Sequence, residues 1–273
     1  MNGIAAEAVL PVQAKLAATV VLVRDGAHGL EVLMIVRHHD IDVATGAAVF
    51  PGGKIAHADH DPRLDARSSG LAGHDSDRRA ARVAAIRETY EECGVLLARP
   101  AGTTALLGRD RQDALRRCWQ QRQTHTGSGF VDMVCDEALD LAVDCMLPFA
   151  HWVTPQASPK RFDTHFFIAQ APAEQVALHD GSEAVDAFWV RPADALEDSA
   201  QRRRTIMFPT LSNLALLAQS GTVAAALDAA RSRPLLRIQP TLTQRADGKR
   251  VPTLPAGAGY PALSDELMDR VAR

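Results

Sequence analysis

Residues 84–97 read AAIRETYEECGVLL, and three of them constrain the fold more than anything else in the chain: Glu88, Glu91 and Glu92. On a helix, positions i, i+3 and i+4 share one face, so these carboxylates converge. Like charges at that spacing cost roughly a few tenths of a kcal/mol per pair even when exposed. A counter-charge is therefore needed. Arg87 stands one turn before Glu91 and can reach it. A hard divalent cation such as Mg²⁺ also takes carboxylate oxygens, keeping several of its waters. An ordinary solvated acidic face is the alternative. Gly94 follows the run and supplies the left-handed position on which helices commonly end.

The flanking pattern places this helix among strands. Residues 17–23 (AATVVLV) and 30–36 (LEVLMIV) are β-branched apolar runs joined by RDGAHG, which predicts a β-hairpin. AAVFPGGK (47–54) is a short strand broken by Pro51 and two glycines, and 55–76 is a polar loop, helical in part. Asp75 or Ser76 caps the helix that ends at about Cys93. Residues 103–146 show helical spacing, with two helices (111–122 and 130–146) around Gly127-Ser128-Gly129. Strands return at 149–155, 161–170 and 184–190, followed by helices at 191–198, 209–219 and 222–232. A hairpin around Asp247-Gly248 is expected within 235–255. Interleaved strands and helices indicate an α/β or α+β protein with a mixed sheet.

Composition bounds the partners. The net charge of −3 over 273 residues gives no basic excess for a nucleic-acid surface. No apolar stretch reaches the roughly 20 residues that cross a bilayer, and the first residues lack the basic segment of a signal peptide. Cys93, Cys118, Cys135 and Cys145 show no metal-binding spacing, so reduced thiols and a cytoplasmic location are expected.

FPGG bends the backbone sharply beside a strand, where its polar groups can approach a ligand. A strand, a double glycine and then R-E-x-x-E-E-x-G-V on a capped helix favour a site over a solvated acidic face. The pattern resembles the Nudix hydrolase signature, G-x5-E-x7-R-E-U-x-E-E-x-G-U, where U is a bulky aliphatic residue. Gly53 matches the first glycine, and Arg87, Glu88, Glu91, Glu92, Gly94 and Val95 match the second half. Asp59 stands where the first Glu belongs, Thr89 takes the first aliphatic slot, and 27 residues rather than seven separate Asp59 from Arg87. An interrupted, enlarged box is similar to that of the coenzyme A diphosphatase branch. FPGGKIAHAD, HWVTP, RFDTHFF, FWVRPADAL and FPTLSNL extend that likeness over roughly residues 18–220. The branch's upstream signature is met in part: Arg37 and Gly46 are present, and Ala48 replaces a Val.

The resemblance implies a Nudix fold, a mixed β-sheet sandwiched between helices, with further helices inserted after the Nudix helix. Residues 1–273 would form one Nudix domain, with an insertion at 60–76, a helical insertion at 98–147, and C-terminal helices plus a hairpin at 209–273. It implies metal-dependent hydrolysis of a diphosphate in a nucleoside-diphosphate-linked small molecule. Coenzyme A or an acyl-CoA, giving 3′,5′-ADP and (acyl-)phosphopantetheine, is the leading substrate. ADP-ribose, NADH and dinucleoside polyphosphates are alternatives, and a non-catalytic nucleotide-binding module is the alternative of another class. Mg²⁺ or Mn²⁺ would sit on Glu88, Glu91 and Glu92 with the Gly53 carbonyl, and Arg87 would orient a carboxylate. A homodimer is in keeping with the family.

The family's general base varies, and Glu183, in a glycine-containing loop before a strand, is the candidate here; a surface acid is the alternative. Arg37, Lys160 and Arg161 are candidates for phosphate contacts, the arginines because guanidinium suits bidentate binding; a solvated strand edge is the equal alternative for Lys160 and Arg161. Asp163 and His165 alternate with Phe162 and Phe166 and are expected to face the ligand, with cross-strand pairing as the alternative.

Overall fold

One strand organises the molecule. β1 (Lys15–Gly26) is apolar on both faces, as a strand covered by helices on either side must be. The computed structural model describes residues 12–37, 46–119, 127–175, 177 and 184–272. β1 and β2 (Gly29–Arg37) form the expected hairpin, with Val23 opposite Val32 and Gly26 opposite Gly29. β3 (Ala47–Val49) and β4 (Gly52–Lys54) are separated at Pro51, which has no N–H to give to a ladder. β3 joins β2, and β4 joins β1 through Ala18↔Gly53.

A 3₁₀ turn (His57–His60) and α1 (Pro62–Asp65) lead to α2 (Ser76–Cys93). The chain continues through β5 (Ala98–Pro100), α3 (Arg109–Trp119), α4 (Ser128–Asp136), β6 (Leu139–Leu141), β7 (Leu147–Val153), β8 (Phe162–Gln170) and β9 (Ala184–Val190). It ends with α5 (Pro192–Ala200), β10 (Thr205–Ile206), α6 (Phe208–Leu217), α7 (Val223–Ser232), β11 (Arg237–Ile238), β12 (Thr241–Gln244), β13 (Arg250–Thr253) and α8 (Asp265–Val271).

The main sheet runs β10-β3-β2-β1-β8-β7-β11, with β4 added on β1 and β9 on β2. It is mixed, since β1 and β8 are parallel while β1–β2 and β7–β8 are antiparallel. One face carries Ala18, Val20, Leu22, Leu33 and Ile35 under α2. The other carries Val21, Val23, Val32 and Met34 under α6 and α7. No helix among the described residues is long and apolar enough to cross a membrane.

Two sequence expectations change. Residues 130–146 are not one helix: α4 stops at Asp136, Ala138 takes a positive φ of 49°, and the chain turns back as β6 to pair with β5. Residues 98–147 are therefore part helix and part sheet. α8 is a further helix beyond those expected, and Ser264 caps it by accepting the Leu267 N–H.

Segments 60–76 and 98–147 are tied together. Ser69 N–H donates to the Leu141 carbonyl at 3.1 Å, and Leu141 N–H donates to Arg67 at 2.6 Å. Asp144 accepts from Ser69 at 2.5 Å and from both terminal nitrogens of Arg99 at 2.7 and 2.9 Å.

Candidate active site

α2 holds the carboxylate cluster on a well-ended helix. The Asp75 side chain accepts the Arg78 N–H at 2.8 Å, a cap worth about 1 kcal/mol. Gly94 closes the helix at φ 70° and donates its N–H to the Tyr90 carbonyl. Ala81, Ala84 and Ala85 let the helix lie close on the sheet.

Glu88, Glu91 and Glu92 converge as their spacing predicts, but not on an open surface. Glu92 Oε2 accepts the Gly52 N–H at 2.7 Å in the interior. The Glu88 carboxylate lies against Gly53, where a Cβ would stand 2.4 Å from Cδ and Oε2. Glycine is needed there for close approach. Glu91 Oε2 accepts from Arg87 Nη1 at 2.7 Å, while its Oε1 is buried without a hydrogen-bond partner. Burial pushes the Glu91 carboxyl up to about 7; Arg87 opposes the rise and Glu88 adds to it.

Arg87 is the hub. Its Nε and Nη2 donate to the two oxygens of Asp59 at 2.8 and 2.9 Å. Nη1 also approaches Glu88 Oε1 at 2.9 Å, and Nη2 donates to the Lys54 carbonyl at 3.0 Å. Burial works against the guanidinium charge, but the Asp59 hydrogen bonds and then Glu88 outweigh it and raise the pKa. Asp59 thus meets the helix across the 27 residues that separate it from Arg87. Gly127, which the sequence shows only as a helix break, closes over this hub. A Cβ there would lie 3.1 Å from Arg87 Cδ, at a φ of 75°.

The sequence model described as the NUDT19 Nudix domain matches residues 69–217, more than half of the chain. The chain belongs to the Nudix hydrolase family. It is a Nudix diphosphatase enzyme. It is 26% identical to the acyl-coenzyme A diphosphatase NUDT19 of Xenopus laevis, over 86% of this chain and 72% of the frog protein. The crystal structure of a NUDIX hydrolase from Alicyclobacillus acidocaldarius matches with a TM-score of 0.67 and 26% identity, over 81% of this chain and 99% of that one.

Nudix hydrolases generally use divalent metals, and the residues of this Nudix helix fit one. One guanidinium faces Asp59, Glu88 and Glu91, so a single positive charge meets three carboxylates, with Glu92 a turn away. Glu91 Oε1 is a buried, unpartnered hard oxygen donor. Such a donor set suits a hard divalent cation better than a soft metal.

The other residues singled out in the sequence lie apart from the Nudix box. Arg37 ends β2 opposite Ala184, with its Nε buried and without a hydrogen-bond partner. Lys160 is exposed before β8. Arg161 donates to the backbone carbonyls of Thr154 and Val12 at 3.1 and 2.7 Å. Asp163 accepts from His151 at 2.5 Å and from Arg237 at 3.2 Å, and the rings of His151 and His165 stack at 4.2 Å. His151, from HWVTP, was not singled out in the sequence. Glu183 lies outside the described residues.

Proposed function

We propose that the chain hydrolyses the diphosphate of coenzyme A or its acyl thioesters, releasing 3′,5′-ADP and (acyl-)phosphopantetheine. The observation that carries this substrate is the likeness to the frog acyl-coenzyme A diphosphatase, which reaches across 86% of the chain and so well beyond the box. In this reading Glu88, Glu91 and Glu92 hold Mg²⁺ or Mn²⁺, with the Gly53 carbonyl beside them. The bound cation would polarise phosphoryl oxygens and ease deprotonation of the attacking water.

The chain's own residues do the positioning. Arg87, held from behind by Asp59, fixes Glu88 and Glu91 in one orientation. The Gly52 N–H fixes Glu92. A rigid frame of this kind avoids reorganisation when charge shifts among the phosphoryl and leaving oxygens, which is where phosphoryl transfer gains most of its rate. Glu183 is the proposed base, and Arg37, Lys160, Arg161, Asp163 and His165 are proposed substrate contacts. The whole chain is read as one Nudix domain with its insertions as elaborations. The four free cysteines accord with a cytoplasmic location.

The test is product analysis by mass spectrometry with Mg²⁺ and a pool of coenzyme A, acetyl-CoA, NADH, ADP-ribose and diadenosine polyphosphates, with Glu92→Gln alongside. Coenzyme A should yield 3′,5′-ADP and phosphopantetheine, and the variant should not. Consumption of a different member of the pool would overturn the substrate while keeping the chemistry. Ligand binding with no consumption of any member would overturn the proposed substrates.

A further inference from the structure

On the same face of the sheet as the carboxylates, two strands away, lies a basic group that the proposed hydrolysis leaves without a task. Ala18 pairs with Gly53 on one side and with His165 on the other. Two strand spacings, about 10 Å, therefore separate the glycine of the box from His165. Arg82, a turn and a half before Glu88 on α2, reaches down to this place. Its side chain stacks over Phe167 at 5.0 Å, and Nη1 donates to the Arg78 carbonyl at 3.0 Å. Arg82 is only 9% exposed, yet it forms no ion pair among the described residues. A largely buried arginine whose one side-chain hydrogen bond goes to a backbone carbonyl has guanidinium donors left for an anion.

The neighbours agree. Burial and then Arg78 lower the Arg82 pKa, with Asp75 opposing. His165 is pushed down to about 4, by burial first, then by His151, with Arg82 and Arg78 contributing and Asp163 opposing. The imidazole is thus neutral at physiological pH, with one N–H to donate.

A cation is the competing occupant, because ligand atoms of His151, Asp163 and His165 lie within 4.8 Å of one another. Two features weigh against it. The imidazoles are stacked with planes 21° apart, so their in-plane lone pairs run side by side instead of converging. The Asp163 carboxylate is already shared between His151 and Arg237.

We infer that Arg82, with Arg78 and His165, forms a subsite for a phosphate monoester of the substrate, separate from the diphosphate that is cleaved. Resting on the proposed function, this group is the ribose 3′-phosphate of coenzyme A. The guanidinium fork of Arg82 would take two of its oxygens, Arg78 would close over it from the helix, and the His165 N–H would fix a third.

The experiment is calorimetric titration of the full chain, with Mg²⁺, by 3′,5′-ADP, 2′,5′-ADP, 5′-AMP and inorganic phosphate, using wild type, Arg82→Gln and Arg78→Gln. We expect 3′,5′-ADP to bind at least about tenfold more tightly than 5′-AMP or 2′,5′-ADP, and each variant to shrink that gap. Arg78→Gln lies at an exposed position and keeps the test decisive if Arg82→Gln unfolds. In turnover, Arg82→Gln should raise KM for coenzyme A about tenfold more than KM for dephospho-coenzyme A. Equal binding of 3′,5′-ADP and 5′-AMP by wild type would overturn the subsite, as would an unchanged gap in both variants. Inorganic phosphate binding as tightly as 3′,5′-ADP would assign the site to a free anion and overturn the substrate role. If coenzyme A is not hydrolysed but the 3′-phosphate gap depends on Arg82, the subsite stands and the substrate assignment falls. If coenzyme A is hydrolysed with no dependence on Arg78 or Arg82, the reverse holds.

Discussion

Asp59 and Arg87, 28 positions apart, form a two-pronged ion pair at 2.8 and 2.9 Å, with side chains only 1% and 3% exposed. The pair joins the strand-and-turn segment after FPGG to the helix of carboxylates. It does so across the 27 residues between Asp59 and Arg87.

Removing one member of a buried pair leaves the other charge stranded, which typically costs about 3–5 kcal/mol. Asp59→Asn should therefore lower stability by about that amount in urea denaturation. The guanidinium would also be left to Glu88 and Glu91 alone. A loss below about 1 kcal/mol would show that Asp59 does not anchor Arg87.

Gly53→Ala places a methyl group on the Glu88 carboxylate and should displace it. Displacements near 1 Å can cost about a hundredfold in rate, so kcat should fall by that order while the thermal transition moves little. Wild-type turnover in this variant would mean that Glu88 need not lie against the strand.

Cation binding should release a proton near neutrality. The Glu91 carboxyl, raised to about 7 without metal, is largely protonated at pH 6 and must ionise to act as a ligand. Mg²⁺ affinity should rise with pH through 7. Calorimetry in buffers of different ionisation enthalpy should count about half a proton per ion at pH 7, and none for Glu91→Gln.

His165 sets an acid limit. Its folded-state pKa of about 4 lies below the ordinary 6.5, so the fold prefers the neutral ring. The contribution is intact above 6.5 and is lost as pH falls from 6.5 towards 4. Allowing for solvent screening of a partly exposed ring, about 1–2 kcal/mol is involved. Melting curves of His165→Asn should show a flatter decline over that window; an identical decline would place the acid sensitivity elsewhere.

Much of this was legible in the sequence because it is local. The hairpin follows from Asp25-Gly26 between apolar runs, and α2 from Asp75 at one end and Gly94 at the other. The convergence of Glu88, Glu91 and Glu92 follows from helical spacing. What needed coordinates is what crosses chain distance. No periodicity tells that Asp59 grips Arg87, that Gly127 must lack a side chain to cover it, or that His151 stacks on His165. Residues 130–146 misled because Leu139 and Leu141 continue a helical spacing, while their edge pairing with β5 decides for a strand.

The hydrogen bonds between residues 67–69 and Leu141 make segments 60–76 and 98–147 one structural unit in two pieces. Leu64 and Leu71 of the first piece and Phe130 and Val134 of the second share the same apolar cluster. Neither piece can be trimmed without exposing the other. In the history of such chains the two should be gained and lost together, and a relative whose box is uninterrupted should also lack the strand pair that β5 and β6 form here.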